Sequence, residues 1–218
     1  MQRTISWQLR TLFGLAFSIV STSLAAEDWH LEKSQGPVQV YTRTPALKQH
    51  NVDYQEILAR TFVSAAPQAF VDLLETTDKA PDWIDNCLQV KLLSKTSAHI
   101  NIVQSTFAAP WPLQNRDIVT QSTMRNVDEK IIISINDQGN AWPLQKNTVR
   151  MKHVTGQWTI SPTENGSTEI TYQGSGHPSG NIPDWLAKQV LVSSTFKTFI
   201  KLTHTLNQNQ HLTREITD

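Results

Sequence analysis

The stretch PDWLAKQVLVSSTFKTFIKLTHTLNQ, residues 183–208, decides the fold. At about 100° per residue, Trp185, Val192, Phe196, Phe199, Ile200, Thr203 and Leu206 fall on one side, and Ser194, Lys197, Thr198, Lys201 and Thr205 on the other. This is an amphipathic helix of roughly seven turns, and a stripe of large aromatic side chains has to lie against something apolar. Upstream, the chain offers mainly strands. Alternating segments occupy 38–43, part of 56–63, 88–95, 98–107, 117–125, 130–136, 148–160 and 168–173, punctuated by turn signals such as Gln35-Gly36-Pro37 and Glu164-Asn165-Gly166-Ser167. Short connections between many strands indicate an antiparallel sheet rather than βαβ units. One further helix is expected at Pro67–Glu75, where Phe70, Leu73 and Leu74 follow helical spacing behind a first-turn proline. The expectation is one α+β domain with the sheet packed on the last helix. Periodicity leaves two arrangements open: a solid core, or a sheet curved around the helix with an apolar tunnel lined by the same side chains.

Composition narrows the classes. The 218 residues carry nineteen basic and nineteen acidic side chains, a balance that argues against nucleic acid as a partner. Charged residues are only 17%, apolar residues 39%, and seven are Trp, which suits a globular domain that handles something neutral or apolar. The single cysteine, Cys87, excludes an intrachain disulfide, a zinc ribbon and an iron–sulfur cluster. No histidine pair has metal-ligand spacing, and no nucleotide or hydrolase motif is present, so no cofactor is expected. At the start, Arg3 and Arg10 precede the apolar run LFGLAFSIV (12–20) and the small residues Ser23-Leu24-Ala25. These are the parts of a secretory signal peptide cleaved after Ala25, with a mature domain at 26–218. The expected product is a monomeric exported protein, with the periplasm as its setting.

The segment Pro110-Trp111-Pro112-Leu113-Gln114-Asn115-Arg116-Asp117 resembles the loop and following strand of START domains, the lipid-transfer family related to steroidogenic acute regulatory protein. Further likenesses follow in order along the chain. Pro37–Arg43 resembles the family's early strand, and Trp83 its tryptophan after the first helix. Val149-Arg150-Met151 and Gly156–Pro162 are similar to its "vRm…GxWxxxP" region, and Gly180–Leu186 to the entry of its C-terminal helix. The resemblance spans about residues 29–208 and implies a helix-grip fold around an apolar tunnel. It also implies one lipid or other hydrophobic molecule as ligand, transient membrane contact and no chemistry.

On that reading the ligand-binding candidates are Trp111 and Leu113 on the gate loop 108–115, Arg116, Arg150, and Trp185, Val192, Phe196 and Phe199 on the last helix. Arg116 and Asp117 are adjacent on a strand, so only one of them faces the tunnel. Arg150 shares the parity of Val154, Trp158 and Ile160. If that face is internal, Arg150 needs a carboxylate partner or a polar headgroup. Sterol-carrying members place a carboxylate and an arginine in the cavity at positions corresponding approximately to Val103 and Ser122. Neither residue forms such a pair, which favours a phospholipid, fatty acid or similar molecule. Two alternatives stay open: a cyclase-type enzyme using His99 or His153 as an inward acid–base group, and an interaction module with a filled core.

Overall fold

The computed structural model describes residues 29–44 and 55–217; the signal-peptide reading of residues 1–25 lies outside them. Ten strands and three α-helices follow in the order β1 (His30–Gln35), β2 (Val38–Arg43), β3 (Glu56–Val63), α1 (Pro67–Glu75), α2 (Ala80–Trp83), β4 (Cys87–Ser97), β5 (Ile100–Phe107), β6 (Asn115–Val127), β7 (Lys130–Asp137), β8 (Thr148–Arg150), β9 (Lys152–Pro162), β10 (Thr168–His177) and α3 (Asp184–Thr217). They form one curved sheet in the order β1-β2-β3-β10-β9-β7-β6-β5-β4, every neighbouring pair antiparallel, with the short β8 paired to β6 in parallel.

The alternation read from the sequence fixes which face is internal. Val38, Val40 and Thr42 on β2 and Ile57, Ala59, Thr61 and Val63 on β3 are buried, while the residues between them are not. Each fully buried Val or Ile contributes about 1.5–3 kcal/mol relative to leaving it in water. Helix α1 begins with Pro67 after an extended Ala66 and buries Phe70 and Val71. An aromatic cluster fills the centre. Trp158 lies 4.9 Å from Phe70, 4.7 Å from Tyr172 and 5.7 Å from Phe199 of α3, the last pair stacked at 15°.

Helix α3 is held on two sides. Val192, Phe199, Leu202 and Leu206 point into the core, and the Thr203 hydroxyl meets that of Thr61 at 2.7 Å. Its polar side docks on the α2–β4 connection. The Asp85 amide donates to Thr198 Oγ1 at 2.9 Å, Ser194 Oγ donates to the Asp85 carbonyl at 3.3 Å, and Lys201 lies 3.4 Å from the Asp85 carboxylate. The side of the helix that reads as solvated is thus half-covered.

Two expectations change in detail. The segment 148–160 reads as one strand, yet the chain breaks at Met151 between β8 and β9, and His153 near the start of β9 takes φ +54°. Strand β1 carries no alternation, because it is a largely exposed edge strand whose only half-buried residue is Glu32.

Candidate functional site

Register defines the helix-side wall of the sheet. On β7, Ile133 stands opposite Trp158 of β9, whose ring stacks on Phe199, so Ile131, Ile133 and Ile135 face α3. Across β6 they are followed by Met124, Ser122, Thr120, Ile118 and Arg116, and across β5 by Asn101, Val103, Ser105 and Phe107. Much of this wall is only half-buried: Phe107, Ile118, Ser122, Met124, Ile131 and Ile135 all retain accessible surface. The reason is geometric. Helix α3 packs chiefly on β1, β2, β3 and α2 rather than on the β5–β7 part of the wall.

Two polar groups on this wall lack partners among the described residues. The Asn101 side-chain oxygen is buried without a hydrogen bond. The Tyr172 hydroxyl has no hydrogen-bond partner and lies over Gly156 and Gly174, which stand opposite each other on β9 and β10. A Cβ on Gly156 would come within 2.7 Å of that oxygen, and one on Gly174 within 2.5 Å, so only glycine leaves the ring its bay. Burial pushes the Tyr172 phenol up to about 12. Against an ordinary value of about 10, the folded protein binds this proton more tightly than the unfolded chain, so alkali costs stability from pH ~10 up through ~12. In a phenolate absorbance titration, one of the chain's three tyrosines should ionise about two pH units late, and Tyr172→Phe should remove that step. A native titration complete near pH ~10 would contradict the burial of this hydroxyl.

The candidate residues divide among several places. Val192 and Phe199 are buried where α3 meets the sheet. Phe196 is half-buried at the edge of that contact, with the Lys33 ammonium of β1 5.4 Å from its ring centre. Leu113 is half-buried in the β5–β6 loop, whereas Trp111 beside it is 93% exposed. Trp185 departs from the helical stripe: it is 68% exposed in the first turn of α3, which leaves its side chain in solvent.

Arg150 is a correction of a different kind. It shares no continuous strand with Trp158. Strand β8 places it opposite Asp117 on the outer face of β6, where the segment 138–150 covers both. Its Nε and Nη2 donate to Asp117 Oδ2 at 2.8 and 2.7 Å, and the remaining donors take the carbonyls of Gly139, Trp142 and Pro143. Burial works to raise the Asp117 pKa, but hydrogen bonds from Arg150, Gln104 and Thr148 and the Arg150 charge outweigh it and hold the carboxyl below its usual range.

Asn115, Arg116 and Asp117 each pin a different loop to the start of β6. Asn115 Oδ1 accepts from the Ala109 amide at 3.3 Å. Arg116, on the helix-side face, donates to the carbonyls of Gln114, Pro178 and Ser179. Asp117, facing outward, holds Thr148 and Arg150. The two loops 108–114 and 138–147, and the first turn of α3 that follows the third, carry the three most exposed large apolar side chains among the described residues: Trp111, Leu144 and Trp185, with Leu144 75% exposed.

Of the residues that suggest catalysis, His99 sits exposed in the β4–β5 turn rather than on a strand, and His153 lies on β9 as expected, with a left-handed φ of +54° near the strand's start. Cys87 is buried, and burial pushes its thiol up, away from the reactive thiolate. Among the described residues no group of His, Cys, Asp or Glu could hold a metal ion. A surface depression of about 270 Å³ lies on the outer face around Gln157 and Gln173, and its lining is largely polar.

A curved antiparallel sheet closed on a long C-terminal helix defines the helix-grip class. The START domain family model matches residues 20–211, and the chain belongs to that family. An uncharacterised Pseudomonas aeruginosa protein is 29% identical over 192 residues, covering 88% of this chain and 92% of that one. A STAR-related lipid transfer protein fragment from Xanthomonas axonopodis superposes with a TM-score of 0.72 at 28% identity, over 82% of this chain and 98% of that one. Human START domain-containing protein 10 is 22% identical over 178 residues, 79% of this chain but only 60% of that longer protein. Its crystal structure shares the fold with a TM-score of 0.66, over 85% of this chain and 78% of that one.

Proposed function

We propose that this protein binds one hydrophobic molecule, a phospholipid, fatty acid or similar lipid, between the β5–β7 wall and α3, and carries it without chemical change. The observation that carries the reading is the half-buried helix-side wall, where Phe107, Ile118, Met124, Ile131 and Ile135 retain accessible surface. Acyl or ring carbons laid along it leave water at about 0.8 kcal/mol per methylene. Asn101 and Tyr172 then offer a few polar groups to orient the ligand, as in other small-molecule sites. The exported, periplasmic setting belongs to this proposal, as does action as a monomer.

The exposed side chains of Trp111, Leu144 and Trp185 are the part that meets a membrane during loading and release. Tryptophan favours the headgroup level of a bilayer, and the exposed Lys146 and Lys152 in the segment 138–152 suit an anionic surface. Among the described residues no helix is long and apolar enough to cross a membrane.

Native mass spectrometry of the protein purified without detergent from its own host tests the reading. The expected spectrum shows one lipid-sized adduct per chain, or acquires one after incubation with vesicles of the host's phospholipids. An apo mass in both cases would sink the carrier reading and leave the cyclase-type enzyme and the filled-core interaction module.

A further inference from the structure

Arg116 is a buried cation without a counter-ion. It is 7% exposed, and its guanidinium meets only the backbone carbonyls of Gln114, Pro178 and Ser179. Two other well-covered arginines have a carboxylate: Arg43 pairs with Glu56 and Arg150 with Asp117. The acid next to Arg116 in sequence is unavailable to it, because strand alternation turns Asp117 to the outer face and Arg150 already holds it there. No carboxylate among the described residues pairs with Arg116. Carbonyl dipoles offset part of the desolvation of a buried charge but do not neutralise it.

Its position says what would. Arg116 lies on the helix-side wall, directly opposite Phe107 and two residues from Ile118, at the end of β6 where the loop 178–180 leads into α3. Gly180 approaches Nη2 with no side chain of its own; a Cβ there would stand 3.4 Å away. An amphiphile whose chain runs along Phe107 and Ile118 brings its head to this guanidinium. We infer that the ligand of this wall carries an anionic head, a carboxylate or a phosphate, which Arg116 pairs with and selects. A planar guanidinium matches either group by two parallel hydrogen bonds. This inference rests on the carrier reading and names the ligand class within it.

The test compares oleate, dioleoyl phosphatidic acid and the neutral lipid diolein on the wild-type protein, R116Q and R116K. Wild type should bind the two anionic lipids at least about tenfold more tightly than diolein, as expected of a charge-assisted pair. R116Q should lose that preference, read as the ratio of anionic-lipid to diolein affinity within the one variant, and R116K, which keeps the charge and controls for folding, should retain a preference. The oleate and phosphatidic acid arms separate a carboxylate head from a phosphate head. Inorganic phosphate alone should leave the melting temperature unmoved, because the chain brings the head to the site. Stabilisation by phosphate that R116Q abolishes would make the partner a soluble anion and overturn the lipid form of the inference. Wild-type affinity for oleate and for phosphatidic acid no higher than for diolein, or an unchanged preference in R116Q, would overturn the inference and leave the carrier reading standing. Failure of every lipid to bind would remove the carrier reading itself.

Discussion

Asp117→Asn is expected to destabilise the fold by about 3–5 kcal/mol, the cost of leaving a buried guanidinium without its counter-charge. Asp117 is fully buried and receives Arg150 through two donors, with Gln104 at 2.9 Å and Thr148 at 3.1 Å completing its shell. Asparagine keeps the shape but not the charge. In urea the midpoint should fall by about two molar at an unchanged slope, for a slope near 2 kcal/mol/M. Asp117→Asn with Arg150→Met should recover part of the loss and not all, since Arg150 also holds the carbonyls of Gly139, Trp142 and Pro143. The pH dependence follows with a definite sign. A carboxyl held below its unfolded value of about 3.9 contributes stability that is full above that pH and disappears as pH falls through the folded value. The wild-type acid limb should therefore be steeper than that of Asp117→Asn. A midpoint shift worth less than about 1 kcal/mol would mean that the pair behaves as a solvated surface bridge.

Phe199→Ala should cost a similar amount, about 3–5 kcal/mol, through the cavity it leaves in a packed core. The ring is 1% exposed and stacked on Trp158, which touches Phe70 and Tyr172 in turn. Its loss also reaches the proposed ligand wall, because Trp158 stands opposite Ile133 and Tyr172 beside it carries the unpartnered hydroxyl. The affinity per folded molecule should therefore change, with longer or bulkier chains accepted into the vacated space. Denaturation curves and lipid titrations on the same preparation separate the two effects. Lost stability with an unaltered chain-length profile would make Phe199 a core residue with no share in the site.

Pattern carries furthest where an element is long and one-sided. Helix α1 occupies the residues that its proline and its apolar spacing indicate, and α3 begins one residue after Pro183. Periodicity cannot report what lies beyond the end of a neighbour, however. Trp185 has the angular position of Phe199, yet its first-turn side chain stays in solvent. Parity fails in the same way when a strand is interrupted. Arg150 and Trp158 are both even-numbered, but the chain breaks at Met151 and the left-handed His153 distorts the start of β9, and neither leaves a compositional trace. Strand β1 is invisible because an exposed edge needs no apolar face. Tyr172 did leave a signal, since Gly156 and Gly174 inside strands mark a close approach, but nothing local says which side chain makes it. The counter-ion of Arg150 and the lack of one for Arg116 depend on pairing between distant strands, which only the folded register reveals.

The fastening of α3 is uneven along its length. From Ser194 to Asn207 the helix is clamped by Asp85, by Thr61 and by the Ser64 amide, with Phe199, Leu202 and Leu206 sunk into the core. Over its first turns the one ion pair is Lys188 with Glu32, at 2.6 Å and partly in solvent. Such a pair contributes only about 0–1 kcal/mol. The helix is thus a cantilever, rooted at its far half and lightly tethered at its near end, where Trp185 and the loop 178–183 stand beside Arg116. The near end of α3 is therefore expected to open locally more readily than the far half, with the aromatic cluster left intact.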